Sequence, residues 1–78
     1  MKKLYYLKPE SYYYNYAIEG TCRLSLAFPK GLYCKAYSLK QAVIYLKRRI
    51  AVHDLCTPYD IDISPNDLVI EDIGENNE

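Results

Sequence analysis

A chain of 78 residues, half of them hydrophobic and 26% charged, is sized for one domain and is too apolar to belong with disordered chains. Its formal net charge of zero hides a split, because residues 1–53 carry +8 and residues 54–78 carry −8. No apolar run approaches the roughly 18 residues a membrane span needs, and the apolar stretch in "MKKLYYLKPES" is too short for a secretory signal, so a cytoplasmic protein with no membrane partner is expected.

In chain order, residues 1–10 read as an N-terminal arm, residues 11–73 as a single domain, and residues 74–78, "GENNE", as a frayed acidic tail. After Pro9 the stretch from Tyr12 to Glu19 alternates with period two. Tyr12, Tyr14, Tyr16 and Ile18 fall on one side, and Tyr13, Asn15 and Ala17 on the other. "EGT" supplies a turn, and Cys22 to Phe28 alternates again, with Leu24, Leu26 and Phe28 on the apolar side. Pro29 and Gly31 mark a second tight turn. Leu32, Cys34 and Ala36 then oppose Tyr33, Lys35 and Tyr37. These three runs predict a three-stranded meander.

From Ser38 the period changes to that of a helix. Ser38 is a good N-cap, and Gln41 three residues later predicts a capping box. Leu39, Ala42, Val43, Leu46 and Ile50 form a core-facing stripe that His53 continues. The opposite side carries Ile44, Tyr45, Val52 and Leu55, interrupted only by Gln41 and Arg48. Beyond the helix, Tyr59, Ile61 and Ile63 alternate with Asp60 and Asp62 as an extended arm or edge strand. Leu68 to Glu71 reads as a strand. The predicted fold class is α+β: a small two-layer domain of β-β-β-α-β order, its antiparallel sheet covered on one face by one helix.

Ten tyrosines, with one phenylalanine and no tryptophan, supply nearly all the aromatic bulk, and each wants its hydroxyl at water or at a partner. If the helix covers the face that bears Leu24, Leu26 and Phe28, then Tyr12, Tyr14, Tyr16 and Ile18 are core. Tyr13, Arg23, Tyr33, Lys35 and Tyr37 are left on the open face. A one-residue slip would exchange the two tyrosine sets.

The chemistry-bearing residues are few. His53 stands alone on an apolar stripe, where a satisfied structural role is the plainer reading. Cys22, Cys34 and Cys56 form no CxxC pair and read as reduced thiols, so no metal site is expected. Cys56 lies close to His53 in sequence, but Asp54 between them opposes a thiolate. Asp60 and Asp62 are explained by solvated charge on an edge strand. The three glycines are isolated, so no phosphate-binding loop exists. No catalytic residue and no cofactor are predicted.

An apolar helix back needs a cover. Ile44, Tyr45, Arg48, Val52 and Leu55 therefore predict a protein interface, and a symmetric homodimer is the simplest way to bury it. The leading expectation is a small non-enzymatic protein-interaction or assembly-accessory domain that self-associates. The alternative is a nucleic-acid-binding accessory that uses Tyr13, Arg23, Tyr33, Lys35 and Tyr37 as a stacking and cationic face. Set against it, tyrosines also suit any solvated strand, and "LKRRIA" scatters its cations around the helix instead of lining one stripe.

Overall fold

Tyrosine, leucine and isoleucine at alternate positions build six short strands, and in the computed structural model, which describes residues 1–71, these form two antiparallel sheets. Strands β1 (Lys3–Leu7), β4 (Leu32–Ala36) and β6 (Leu68–Glu71) make the first, in the order β4-β1-β6. Strands β2 (Tyr12–Asn15), β3 (Gly20–Arg23) and β5 (Ile61–Ile63) make the second, in the order β3-β2-β5. One helix, α1 (Leu39–Asp54), packs on β4 of the first sheet and β5 of the second. The α+β class and the single covering helix match expectation; the chain order is β-β-β-β-α-β-β instead of β-β-β-α-β.

The extra strand comes from residues read as an arm. Lys3–Leu7 is the central strand of the first sheet, with Tyr6 opposite Tyr33 on one side and Val69 on the other. Tyr5 and Leu7 point into the core. The short "LYYL" run is rich in strand formers, and pairing with two neighbours outweighs its position beside the basic start.

The meander is replaced because β4 pairs with β1 and not with the run before it. That run stops being a strand at Arg23 and turns into a 3₁₀ segment, Leu24–Leu26. The Leu24 N–H donates to the Ser11 carbonyl at 2.8 Å and the Ser25 N–H to the Pro9 carbonyl at 2.9 Å, drawing the chain toward the β1–β2 connection. Leu24 is buried as expected, Phe28 is half-buried, and Leu26 faces solvent. The tight turn at Gly31 is as expected. Its φ is +79°, and a Cβ there would lie 2.5 Å from the Leu7 carbonyl oxygen.

Tyr33 and Tyr37 are exposed as predicted, but on β2 the tyrosine faces are the reverse of those predicted. Tyr13 and Asn15 are buried, whereas Tyr12, Tyr16 and Ile18 are exposed and Tyr14 is half-buried. The strand ends at Asn15, so Tyr16 and Ile18 lie in the following turn. The neighbour that sets the register is β5: Tyr13 pairs with Ile63 and Asn15 with Ile61, so the inward row continues two buried isoleucines. Pattern alone favoured the all-apolar set 12, 14, 16 and 18. A tyrosine tolerates water, however, and a buried asparagine is stable once bonded.

Helix α1 begins as predicted, with the Gln41 N–H donating to Ser38 Oγ at 3.1 Å. The box is only half closed, because Gln41 Oε1 accepts from the Tyr37 N–H at 2.8 Å. Ala42, Leu46 and Ile50 are buried with Val43 against them, but the stripe is shorter than expected: Leu39 and His53 are exposed. Ala51 is buried in their place, on the flank toward the 3₁₀ turn Pro58–Asp60 that leads into β5. The expected edge strand and final strand are β5 and β6. The tail read at residues 74–78 lies outside the described residues. One continuous core runs from Tyr5 and Leu7 through Leu46 and Ile50 to Ile61 and Ile63.

Candidate functional site

The back of α1 follows from its sequence spacing. Ile44, Arg48 and Val52 are four residues apart and share a face, with Tyr45 beside them. All are exposed, as is Leu55, the helix C-cap. Clefts flank this ridge on both sides. One, of about 480 Å³, separates the ridge from β4 and is lined by Tyr33, Cys34, Lys35, Tyr45, Arg48, Arg49 and Val52. The other, of about 550 Å³, lies toward the Pro58–Asp60 turn and is lined by Ile44, Lys47, Arg48, Pro58 and Tyr59. Arg48 belongs to both, its guanidinium 5.9 Å from the centre of the Tyr45 ring.

The end of the ridge is apolar and bare. Val52 is 76% exposed, Leu55 92% and Tyr59 94%. Leu55 is also left-handed, with φ of 60° and ψ of 44°, a conformation usually given to glycine at a helix end. Its N–H donates toward the Ala51 and Val52 carbonyls, so the helix is properly closed.

The face expected to carry Tyr13, Arg23, Tyr33, Lys35 and Tyr37 is not one surface. Tyr33, Lys35 and Tyr37 lie on the outer face of the first sheet, where the Tyr33 ring stacks on Tyr6 with centres 4.4 Å apart and Lys2 lies 5.5 Å from the Tyr37 ring centre. Arg23 is on the second sheet, hydrogen-bonded to the Tyr12 hydroxyl and 5.0 Å from its ring centre. Tyr13 is core. What the structure does join is Tyr33 and Lys35 with Tyr45, Arg48 and Val52, two groups that the sequence kept apart.

Tyr13 serves a different constellation. Its hydroxyl donates to Asp54 Oδ2 at 2.7 Å, and Asn15 Nδ2 donates to the same oxygen at 3.0 Å. His53 Nδ1 lies 2.8 Å from Asp54 Oδ1. Asn15 Oδ1 accepts the Ala17 N–H, so this 1%-exposed amide is satisfied. Burial pushes the Asp54 carboxyl up, but the hydrogen bonds from His53, Tyr13 and Asn15 outweigh it and hold the group below its ordinary value. Burial first, and then the bond to Asp54, push the Tyr13 phenol up. Sequence reading missed this hub because Asp54, the last residue of the helix, carries no local signal for a partner some 40 positions earlier in the chain.

A cavity of about 320 Å³ includes Cys22, His53 and Asp54 in its lining, together with Tyr13 and Asn15. No hydrogen bond joins Cys22 to His53 among the described residues, so the set lacks the contact between nucleophile and base that thiol catalysis uses. The Cys56 thiol is pushed up by burial and then by Asp60 and Asp54, and the Cys34 thiol by burial, which outweighs Arg49 and Lys2. Among the described residues no three His, Cys, Asp or Glu side chains gather as a metal site, and no helix is long and apolar enough to cross a membrane.

The two charged halves do not neutralise each other by contact among the described residues. Among the described residues, the single ion pair is His53 with Asp54, and no lysine or arginine lies within ion-pairing distance of a carboxylate. Compared with known proteins, the chain matches no family model, no curated protein and no solved structure.

Proposed function

We propose that this is a small non-enzymatic protein-interaction domain that associates through the back of α1, with a second copy as its partner. Leu55 carries the reading. A leucine in the left-handed region costs about 1 kcal/mol relative to glycine, and a side chain 92% exposed recovers none of that by packing within the chain. Strain held where nothing among the described residues rewards it points to a use outside. Val52, Ile44, Tyr45 and Tyr59 extend the patch, and Arg48 is the kind of residue that anchors such a surface. A two-fold contact buries the same patch on both copies.

The alternative, nucleic acid on a sheet face of Tyr13, Arg23, Tyr33, Lys35 and Tyr37, is left with three of its five residues on one surface, because Tyr13 is buried and Arg23 lies on the other sheet. Light scattering on the purified protein and its Val52→Asp and Leu55→Asp variants tests the leading reading. The parent should be a dimer that persists at high salt, and both variants should be monomers with an unchanged helix signal by circular dichroism. A monomeric parent, or variants that dimerise as well as it does, would overturn the proposal.

A further inference from the structure

The cleft between α1 and β4 has features that the ridge beside it does not need. Tyr33, Cys34 and Lys35 all line it. Successive strand residues point to opposite faces, so three in a row border one cleft only where that cleft runs along the strand's edge. β4 is the terminal strand of its sheet. Among the described residues no backbone bond leaves Leu32–Ala36 on the side away from β1. The cleft floor is therefore a row of strand donors and acceptors without a strand partner. Its opposite bank is Tyr45, Arg48, Arg49 and Val52. The lining contains three cations and no carboxylate, and none of the three is ion-paired among the described residues.

We infer that this cleft receives an extended acidic peptide segment, which adds to the free edge of β4 as a further strand while its carboxylates meet Lys35 and Arg49. The inference rests on the reading of the protein as an interaction domain, and its cleft shares Tyr45, Arg48 and Val52 with the ridge proposed as the dimer contact. Strand addition draws affinity from main-chain bonds and selectivity from alternate side chains. Here the added strand's outward residues face Lys35, and its alternate residues face the helix bank of Arg49, Tyr45 and Val52. A lysine on an edge strand is often there to discourage pairing, but that role requires no overhanging helix with arginines of its own. A second copy of this chain is a poor occupant, since pairing β4 with its copy sets Lys35 and Arg49 against their duplicates. A nucleic-acid strand offers phosphate acceptors and cannot alternate donors with acceptors along the β4 backbone.

The test uses the isotope-labelled protein and a short synthetic peptide of repeating Asp-Asp-Val-Val, which offers carboxylates on both faces of a strand, read by amide exchange and chemical shift in NMR. Exchange should slow at alternate residues of β4, and shifts should move at Tyr33, Cys34, Lys35 and Arg49. The double variant Lys35→Glu, Arg49→Glu changes two exposed residues and should bind about tenfold more weakly. N-methylation of alternate peptide nitrogens in one register should abolish the exchange protection, and in the other register it should not. Absence of binding, binding without protection of β4, or equal protection by oligothymidylate would each overturn the inference. The titration is run on the Leu55→Asp variant, whose substitution lies outside the cleft lining, so failure here is separate from failure of the dimer, which light scattering reads on the parent.

Discussion

Asp54 shows how one carboxylate can fix a register. With Tyr13 and Asn15 both donating to it, the inward face of β2 is set by a polar bond as much as by apolar area. That is why a purely apolar count of the strand chose the wrong side. Tyr13→Phe removes one donor and leaves the ring, so it should cost about 1 kcal/mol in a urea melt. The acid limb of stability should show Asp54 directly. Its carboxyl is held below its ordinary value in the folded state, so it stabilises the fold above the unfolded-state value of about 4. That contribution disappears as pH falls through the lower, folded-state value. Asp54→Asn should therefore be less stable at neutral pH and should lose less on further acidification; equal acid slopes for parent and variant would remove Asp54 from this role. At Leu55, replacement by glycine should raise the melting midpoint by the equivalent of about 1 kcal/mol while weakening self-association. A stability gain without any loss of association would mean that the leucine is not part of the contact.

Element by element, what could be read from the sequence follows the strength of the local signal. The helix, its Ser38 cap, the buried stripe Ala42, Leu46 and Ile50, and the five residues of its outer face were all legible, because a period of 3.6 over sixteen residues is hard to mistake. Strand β4 was legible with both of its faces, since turn residues bracket it. Strand β1 was not, because five residues beside a charged start carry too little pattern to separate a central strand from an arm. The run from Leu24 to Phe28 misled for another reason: its alternation is genuine, but backbone bonds to Pro9 and Ser11 outweigh a strand pairing it never makes. Gly31, just before β4, lies against Leu7 at the end of β1. Gly31→Ala must keep a positive φ and press a methyl group onto the Leu7 carbonyl, and a loss of about 2 kcal/mol or more is expected in thermal or urea unfolding. A neutral result there would show that the β1–β4 pairing tolerates a methyl group beside the end of β1.

For the whole molecule, two small sheets share one helix and one core. That arrangement buries Ala42, Leu46, Ile50 and Ala51 of α1 and leaves its back uncovered by the described residues. The candidate site was half legible: the ridge residues were named from the wheel alone, but that Tyr33 and Lys35 form the opposite bank of its cleft depends on β4 being an edge strand, a property of topology that no local pattern contains. Nor could pattern separate +8 and −8 halves that cancel by contact from halves that leave cations free. Among the described residues, the lysines and arginines are free of carboxylates. The measurement that bears most directly on the central claim is a dilution series of the labelled protein followed by NMR. The account predicts concentration-dependent shifts at Ile44, Tyr45, Arg48, Val52, Leu55 and Tyr59, with the exposed or half-buried Tyr12 and Tyr14 of the second sheet unmoved. Shifts independent of concentration, or changes confined to the second sheet, would contradict it.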